Sequence, residues 1–447
     1  MKIHFIAIGG SAMHNLAIAL HKQGFLVTGS DDEVFEPSAT RLKQCGLLPG
    51  KMGWFMDKIH EGLDAVILGM HARADNPELL KAKELGLKIY SYPEYIYECS
   101  KEKIRVVIGG SHGKTTITAM IMHVLRTCKK NFDYMVGAQL DGFDTMVKLT
   151  KEAPYIILEG DEYLASPIDR RPKFHLYHAD IGLVSGIAWD HINVFPTYEN
   201  YVEQFRIFIE GIPQMGTLIY CTDDKDLNAL ASSSGTCRKI PYSIPVHTIE
   251  NGITFLSSSA GKVALQVFGD HNLRNLSGAH LVCMQLGITE EEFYSSIATF
   301  SGAARRLELL FSNDHTAAYR DFAHSPSKLQ ATTEAVMKQY PERKLIACME
   351  LHTFSSLNET FLKEYHGSMD AAYEAIVYYS PHTIEHKKLK PISEEQVREC
   401  FGRRDLKVFT GSAELLQHLK VVDWKNKNLL LMSSGTFGGM ATAEIFG

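Results

Sequence analysis

The chain has 447 residues, of which 45% are hydrophobic and 22% charged, and its formal net charge is -6. At about 100 to 200 residues per domain this length predicts two to four domains, and we expect three. The acidic balance and the lack of a Lys/Arg-rich run argue against nonspecific binding to nucleic acid or to an anionic membrane. Eight cysteines without a C-x-x-C pair indicate neither a zinc ribbon nor a disulfide framework. This cysteine pattern favours a reducing, cytoplasmic compartment, and no run of about 18 apolar residues predicts a membrane span.

The first hundred residues alternate short apolar runs with turns and helical patterns. The apolar runs lie at residues 3–8, 25–28, 64–70 and 87–92. The first run ends at Gly9 and Gly10 and precedes a helical pattern, and Asp31 follows the second run closely. Strand, glycine turn, helix and strand in this order are typical of a doubly wound α/β unit. We therefore predict a Rossmann-like domain over residues 1–100.

The same turn carries a degenerate dinucleotide-binding pattern, Ala7-x-Gly9-x-x-Ala12. Asp31 lies about where a ribose-binding acid would be found in that pattern. An NAD-dependent oxidoreductase is therefore one alternative. It leaves unexplained a Gly-Lys-Thr segment at residues 113–115 and a third α/β module later in the chain.

A second glycine turn is the strongest single motif. Residues 104–110 form an apolar run that leads into Gly110-Ser-His-Gly-Lys-Thr-Thr116, and a long amphipathic stretch follows. Such a turn points backbone N–H groups and a helix N-terminus at an anion. Lys114 would neutralise phosphate charge and Thr115 would bind Mg²⁺, although the glycine spacing departs from the standard Walker pattern. We predict a nucleoside triphosphate site in a central, P-loop ATPase-like domain over residues 101–310.

Acidic residues follow two later apolar runs. Residues 155–158 lead into Glu159-Gly-Asp-Glu162, and residues 181–187 precede the pair Asp190-His191. The carboxyl ends of parallel strands gather ligands, and carboxylates suit Mg²⁺, a hard cation that prefers oxygen. The pattern therefore predicts a magnesium site that includes Glu159, with His191 as a further candidate.

The alternation of strands and helices restarts after Glu308. Apolar runs lie at residues 317–322, 344–350, 375–380 and 429–435, with a helical pattern near 326–339. This pattern predicts a C-terminal Rossmann-like domain over residues 311–447. The expected fold class is therefore α/β, with three successive α/β domains.

Six motifs, taken in chain order, resemble those of the Mur ligases, the ATP-dependent amide-forming enzymes of peptidoglycan synthesis. They are Gly110–Thr116; Glu159–Glu162; Asp190-His191; Gly269-Asp-His-Asn272 with Asn275; Phe300-Ser-Gly302 with Arg305-Arg306-Leu-Glu308; and Asp321-Phe-Ala-His324-Ser-Pro326. The likeness covers essentially the whole chain, and it includes the shorter glycine spacing of the ATP loop. Six ordered motifs are far more specific than any one of them.

The resemblance implies an N-terminal domain that binds UDP-N-acetylmuramate, a central domain that uses ATP and Mg²⁺, and a C-terminal domain that binds the amine. It implies these contacts: Gly9, Gly10, Ser11 and Asp31 with the nucleotide sugar; Gly110, Ser111, His112, Gly113, Lys114, Thr115 and Thr116 with phosphates; Thr115, Glu159 and His191 with Mg²⁺; Asn272 and Asn275 with adenine; Arg306 with the γ-phosphate; Asp321 with ribose; His352 and Thr353 with the amine. Lys114, His191 and Arg306 would be catalytic. The implied enzyme is a monomer or homodimer.

Within the family, three segments look most like the branch that recycles murein peptides. They are residues 27–31 with 34–37, residues 161–163 with 169–174, and residues 432–439. We therefore expect the tripeptide L-Ala-γ-D-Glu-meso-diaminopimelate as the amine, with L-alanine, the substrate of a biosynthetic branch, as the alternative. His352 and Thr353 stand where the recycling branch carries Arg and Ser, which leaves a weaker fixed charge for a carboxylate.

The sequence departs from the family near the predicted metal site. Several Mur ligases hold a second Mg²⁺ with a carbamylated lysine, but Arg206 stands near that place and no lysine lies between Lys173 and Lys225. Gly186 and Ala188 replace the usual Asn and Glu before the Asp-His pair. These changes keep open a third possibility, a nucleotide-binding regulator without catalysis.

Overall fold

The structure is a computed structural model that describes residues 1–189, 194–258, 261–303 and 306–446. Its internal contacts divide the chain into two units. One comprises residues 1–244 and 274–297, and the other comprises residues 245–273 and 298–447. Three parallel-rich sheets with intervening helices follow one another along the chain, which confirms the predicted α/β class.

The first sheet has four parallel strands in the order β2-β1-β3-β4. Its elements are β1 (Lys2–Ile6), α1 (Ser11–Lys22), β2 (Leu26–Ser30), α2 (Ser38–Gln44), β3 (Ala65–Leu68), α3 (Pro77–Glu84), β4 (Ile89–Ser91) and α4 (Tyr92–Ser100), with a 3₁₀ turn at Met56–Lys58. β1 and β3 are almost wholly buried, as expected for strands covered on both faces. The last helix begins with a capping box between Ser91 and Glu94, which fixes where it starts.

The second sheet has seven strands in the order β11-β10-β9-β5-β8-β6-β7, all parallel except β7. Its elements are β5 (Ile104–Gly109), α5 (Lys114–Thr127), β6 (Asp133–Met135), β7 (Val147–Lys148), β8 (Tyr155–Glu159), α6 (Lys173–Leu176), β9 (Ile181–Val184), α7 (Tyr198–Glu210), β10 (Thr217–Cys221), α8 (Lys225–Ser233) and β11 (Arg238–Tyr242), with α9 (Asp270–Gln285) and α10 (Glu290–Ile297) later in the chain. β5 lies at the centre, so the turn that follows it opens at the middle of the carboxyl edge.

The two outer strands of this sheet differ from the inner ones. β7 is only two residues long and contacts α1 of the first sheet. Beside it, the Met146 N–H donates to Asn15 Oδ1 at 3.0 Å. The opposite outer strand, β11, is half-exposed and contains Arg238 and Pro241. These polar and proline-containing positions explain why β11 lacks the apolar run of a central strand.

A three-stranded antiparallel sheet was not predicted from the sequence. Its strands are β12 (His247–Glu250), β13 (Ile253–Ser258) and β14 (Gly261–Leu265). Buried and exposed positions alternate along β13, because one face of the sheet is exposed. Short half-polar strands of this kind lack the continuous apolar runs on which our prediction rested.

The last sheet has six strands in the order β15-β16-β20-β17-β18-β19, and only the pair β15 and β16 is antiparallel. Its elements are β15 (Glu308–Ser312), β16 (Ala317–Asp321), α11 (Pro326–Gln339), β17 (Lys344–Leu351), α12 (Glu359–Leu362), β18 (Glu374–Tyr379), α13 (Pro381–His386), α14 (Glu394–Phe401), β19 (Lys407–Phe409), α15 (Ser412–Lys420) and β20 (Lys427–Met432), with 3₁₀ turns at Lys363–Tyr365, Phe437–Gly439 and Thr442–Glu444. Two clusters of buried apolar residues belong to this part of the chain. Of the helices formed by the described residues, none is long and apolar enough to cross a membrane.

Candidate active site

The phosphate-loop segment, Gly110–Thr116, connects β5 to α5 as the sequence predicted. Gly113 is left-handed, with φ of 81°, and stands immediately before the first residue of α5. Gly110 has φ of 128°. A Cβ atom on Gly110 would collide with Ser185 Oγ, and one on Gly113 would collide with Asn275 Oδ1. Both glycines are therefore required by the backbone conformation and by close neighbours.

The ammonium of Lys114 lies inside this loop. Lys114 Nζ donates to the Gly110 carbonyl oxygen at 2.6 Å and to Glu162 Oε2 at 2.7 Å. Burial alone would lower the pKa of Lys114, but the negative charges of Glu162 and Asp161 outweigh it and hold that pKa above its ordinary value. The loop therefore carries a fixed positive charge where an anion would be bound.

Thr115 and Glu159 meet across the same turn. Thr115 Oγ1 donates to Glu159 Oε1 at 2.7 Å, and the Gly137 N–H donates to Glu159 Oε2 at 2.8 Å. Burial raises the pKa of Glu159, against the opposing effect of these two donors. Burial makes the ionised form of Glu159 unfavourable, so a nearby cation would stabilise that form.

A second carboxylate and a second lysine stand beside this pair. Lys173 Nζ donates to Asp161 Oδ2 at 2.6 Å. Burial alone would raise the pKa of Asp161, but Lys173 and Lys114 hold it below its ordinary value. Asp161 is thus ionised and already paired, which separates its role from that of Glu159.

The donor set suits Mg²⁺, although it is incomplete in the described part of the chain. Thr115 and Glu159 offer hydroxyl and carboxylate oxygens, the ligands that Mg²⁺ prefers alongside phosphate oxygens and water. No group of three or more His, Cys, Asp or Glu side chains that could hold a metal occurs among residues 1–189, 194–258, 261–303 and 306–446. Asp190 and His191, the other predicted residues, lie outside these ranges.

The remaining loop residues line its walls. Ser111 donates its N–H to the Gly186 carbonyl at 2.9 Å, while its buried hydroxyl has no hydrogen-bond partner among the described residues. His112 Nδ1 lies 2.7 Å from the Ser111 carbonyl oxygen, and the carbonyl of His112 accepts a hydrogen bond from the Ser185 hydroxyl. Thr116 is buried in the first turn of α5. The Ser111 hydroxyl is therefore available to an anion in the loop.

The two asparagines predicted to contact adenine lie on α9. Asn275 belongs to the first unit, where its side chain is buried against Gly113. Asn272 belongs to the second unit, and its Nδ2 donates to the Phe268 carbonyl at 2.9 Å. Asn275 thus abuts the phosphate loop directly.

Arg306 and Asp321 are neighbours in the second unit. Asp321 Oδ2 accepts from the Leu307 N–H and Oδ1 from the Ala323 N–H, each at 2.7 Å. Burial raises the pKa of Asp321, and the Arg306 charge opposes that rise. The Arg306 guanidinium lies 4.8 Å from the centre of the Phe322 ring. Asp321 thus joins the residue before β15 to the turn at the carboxyl end of β16.

The predicted nucleotide-sugar residues cluster at the carboxyl ends of β1 and β2. The Gly9 N–H donates to Asp31 Oδ2 at 2.7 Å, and a Cβ atom on Gly9 would lie 2.9 Å from that oxygen. Gly10 precedes the first residue of α1, Ser11. Burial raises the pKa of Asp31, although the Gly9 N–H opposes the rise. The turn therefore places an acid, not a cation, at its centre.

The residues predicted to contact the amine follow β17. His352 has a 41% exposed side chain, and its Nδ1 lies 3.6 Å from Glu350 Oε1. Thr353 caps the next turn by accepting the Ser356 N–H at 3.0 Å. Buried Glu350 also accepts from the Phe437 N–H at 2.7 Å and from the Ser433 hydroxyl. The segment 433–437 is thereby joined to the end of β17.

Comparison with known proteins identifies the family. The model of the Mur ligase middle domain matches residues 108–283, and that of the Mur ligase family catalytic domain matches residues 2–103. The UDP-N-acetylmuramate--L-alanine ligase of Caldicellulosiruptor bescii is 32% identical over 398 residues, which are 84% of this chain and 83% of that protein. The chain belongs to the Mur ligase family. It is an ATP-dependent ligase that forms amide bonds.

Solved structures share the fold of this Mur ligase. The UDP-N-acetylmuramate-alanine ligase of Thermotoga maritima has a TM-score of 0.71 at 18% identity, over 100% of this chain and 98% of that one. The murein peptide ligase of Psychrobacter arcticus has a TM-score of 0.65 at 20% identity, with the same coverage. The predicted family and the three-domain α/β fold are thereby confirmed. The predicted tripeptide specificity is not, since the curated relative supports the L-alanine alternative.

The family departures have structural counterparts in this Mur ligase. Arg206 lies on the outside of α7 and pairs with Glu203 and Glu210, both reached at 2.7 Å. A Cβ atom on Gly186 would lie 3.2 Å from Asp224 Oδ2, which accepts the Ile187 N–H at 2.7 Å. The Asp224 carboxylate thus occupies space beside Gly186.

Sequence reasoning missed two side chains of this site. Glu162 bridges Lys114 and Tyr201, whose hydroxyl donates to Glu162 Oε1 at 3.2 Å. The acidic segment that contains Glu162 was recognised, but only Glu159 was given a role. Tyr201 lies on α7, far along the chain, and belongs to none of the motifs that the sequence analysis identified.

Proposed function

We propose that this Mur ligase uses ATP to join the carboxylate of UDP-N-acetylmuramate to the amino group of L-alanine. The phosphate loop around Lys114, with Thr115 and Glu159 beside it, is the observation that carries the ATP half of this proposal. The relative from Caldicellulosiruptor bescii, named for UDP-N-acetylmuramate and L-alanine, supports the two other substrates.

The proposed reaction has two steps. The lactyl carboxylate of UDP-N-acetylmuramate attacks the γ-phosphorus of ATP, and ADP leaves to give an acyl phosphate. The amine then attacks the acyl carbon, the C–N bond forms, and phosphate leaves with the bonding electrons. The first step is needed because a free carboxylate is a poor acyl donor to an amine. The amine must be neutral to attack, so a base must take its proton.

The residues of the loop would offset charge in the first step. Lys114 would contact the β- and γ-phosphates, and the N–H groups at the start of α5 would face the same anion. Mg²⁺, held by Thr115, Glu159 and the predicted His191, would neutralise phosphate charge when bound. The burial of Glu159 beside the Thr115 hydroxyl supports this assignment, because a cation stabilises the ionised form of a buried carboxylate.

The other roles and the domain limits are part of the proposal. We assign the nucleotide sugar to the turn with Gly9, Gly10, Ser11 and Asp31. By motif position we assign these contacts: Gly110, Ser111, His112, Gly113 and Thr116 with phosphate; Asn272 and Asn275 with adenine; Asp321 with ribose; Arg306 with the γ-phosphate; His352 and Thr353 with the amine. The corresponding domains would be residues 1–100, 101–310 and 311–447.

A second candidate amine is the tripeptide L-Ala-γ-D-Glu-meso-diaminopimelate. It is supported by the likeness of three segments to the murein-recycling branch, namely residues 27–31 with 34–37, 161–163 with 169–174, and 432–439. Against it, the exposed His352 offers less fixed positive charge to a peptide carboxylate than an arginine would. L-Alanine is therefore the first choice.

Mass spectrometry of the product separates these candidates. The protein is incubated with UDP-N-acetylmuramate, ATP and Mg²⁺ and offered L-alanine or the tripeptide. We expect the L-alanyl product, with ADP release that requires both substrates. Product with the tripeptide alone would replace L-alanine as the substrate. ATP binding without product from either amine would contradict the proposed reaction and favour the regulator.

A further inference from the structure

A buried carboxylate is the second acceptor of the loop lysine, in addition to the loop backbone. Glu162 is fully buried, and its two oxygens are used by different partners. Oε2 accepts from Lys114 Nζ at 2.7 Å, and Oε1 accepts from the Tyr201 hydroxyl at 3.2 Å. The residue lies directly after the paired Asp161 and is three positions from Glu159, yet it contacts neither Thr115 nor Lys173 in the described hydrogen bonds. It therefore has a different task from the two other carboxylates.

Counting hydrogen-bond donors shows what this arrangement leaves open. An ammonium group has three N–H donors. In the described part of the chain, Lys114 directs one to the Gly110 carbonyl at 2.6 Å and one to Glu162. These two acceptors fix the position of Nζ at the loop and leave a third donor for a phosphate oxygen. A lysine held in this way loses less side-chain entropy when it binds the phosphate.

The position of Glu162 is itself fixed by a buried aromatic group. Tyr201 is fully buried on α7. Its ring centre lies 5.5 Å from that of Phe195 and 5.1 Å from that of Phe205. Rings packed in this way have little freedom, so the Tyr201 hydroxyl is delivered to one place. Phe195 and Phe205 thus hold Tyr201 in place, Tyr201 positions Glu162, and Glu162 positions Lys114.

We propose that Glu162 and Tyr201 are positioning residues that hold the Lys114 ammonium at the phosphate loop before nucleotide binds. This inference rests on the proposed function, in which Lys114 contacts the β- and γ-phosphates of ATP. Glu162 would then strengthen nucleotide binding by holding the lysine in place. If Glu162 instead competed with phosphate for Lys114, its removal would increase the affinity for nucleotide.

Two charge-conserving substitutions test the inference on the full chain. Glu162→Asp keeps the negative charge but withdraws the carboxylate by one methylene, and Tyr201→Phe removes only a hydroxyl. We expect the Kd of Mg²⁺-ADP to rise about tenfold in Glu162→Asp, because a charge-assisted hydrogen bond is lost. In Tyr201→Phe we expect a rise of about threefold, because an ordinary hydrogen bond is lost. The Kd of AMP, which lacks the phosphates that Lys114 would contact, should stay within about twofold. Isothermal titration calorimetry measures both.

A kinetic measurement separates positioning from general damage. The KM for ATP should rise in both variants while the KM for UDP-N-acetylmuramate stays unchanged, because a disturbed fold would affect both substrates. Tyr198→Phe is the matched control. Tyr198 lies on the same helix and also donates to a carboxylate, that of Asp226 at 2.6 Å, and no described hydrogen bond joins either residue to the loop. It should behave as the unsubstituted protein.

The outcomes distinguish failure of this inference from failure of the proposed function. ADP affinity that is unchanged or tighter in both variants would overturn the positioning role, provided that Lys114→Ala binds ADP more weakly. If Lys114→Ala binds and turns over nucleotide normally, the assignment of the loop itself is wrong. If Glu162→Asp fails to fold, Tyr201→Phe decides alone, because its ring packing is retained.

Discussion

Two strand-turn-helix units of this chain share a topology but differ in the charge at the turn. In the first, between β1 and α1, Asp31 Oδ2 accepts the Gly9 N–H at 2.7 Å. In the second, between β5 and α5, Lys114 Nζ lies against the Gly110 carbonyl at 2.6 Å. A carboxylate in the first turn suits hydroxyl donors such as those of a sugar, whereas an ammonium in the second suits phosphate. Two turns of similar backbone topology are therefore predicted to bind different ligands because of the charge of one side chain in each.

Removal of the cation at the second turn should have the largest effect. We expect Lys114→Ala to lower turnover by at least about 100-fold, because an electrostatic contact to the transferred phosphate is lost. ADP release with UDP-N-acetylmuramate and L-alanine measures this. Lys225→Ala is the control, since Lys225 also begins a helix next to a strand of the same sheet. Near-normal turnover in Lys114→Ala would contradict the view that the charge at the second turn selects phosphate.

The second turn should also fail if its backbone is changed. Gly113→Ala would bring a Cβ atom onto Asn275 at a left-handed position, so we expect ADP affinity to fall by about tenfold or more. Gly86 is a matched control, because it has φ of 62° and no atom within 4 Å of its Cβ position. Gly86→Ala should leave nucleotide binding unchanged. Equal ADP affinities in the two variants would mean that the clash with Asn275 is harmless.

The first turn should respond through the other substrate. In Asp31→Asn the Gly9 N–H keeps an acceptor but loses the charge, and we expect the KM for UDP-N-acetylmuramate to rise about tenfold. The KM for ATP should not change. Asp57→Asn, at an exposed position in the 3₁₀ turn of the same sheet, is the control. A change in the KM for ATP alone would contradict the division of ligands between the turns.

The smallest effect concerns pH. Burial holds the pKa of Asp31 above its ordinary value, so between the two values the folded protein binds more protons than the unfolded chain. The contribution of Asp31 to the free energy of unfolding therefore falls as pH rises from the ordinary to the raised pKa. Urea unfolding of the Asp31→Asn variant should lack this part of the pH dependence. Parallel profiles for the two proteins would show that Asp31 titrates as it does in the unfolded chain.

Sequence patterns predicted the elements buried on both faces most accurately. The run at residues 155–158 lies within β8, and the helical pattern at 326–339 coincides with α11. Central parallel strands are covered on both sides, so their sequences are continuously apolar and easily recognised. β12 to β14 were missed because their half-exposed residues give a mixed pattern.

The candidate site was predictable where a motif is local. The loop Gly110–Thr116 and the acid Glu159 each follow an apolar run, so their place at one sheet edge could be expected. The partnership of Lys114 with Glu162 and Tyr201 could not, because it joins residues 48 and 39 positions apart in sequence. Such contacts depend on how helices pack on the sheet, which a single sequence does not reveal.

The outer strands of the seven-stranded sheet have a consequence for association. An exposed strand edge is a template for pairing with another chain, and proteins protect such edges with short strands, proline or charged side chains. β7 has two residues and contacts α1, while β11 carries Arg238, Lys239 and Pro241. Both outer strands of the sheet that bears the phosphate loop are thus protected against edge-to-edge aggregation while the rest of the chain folds.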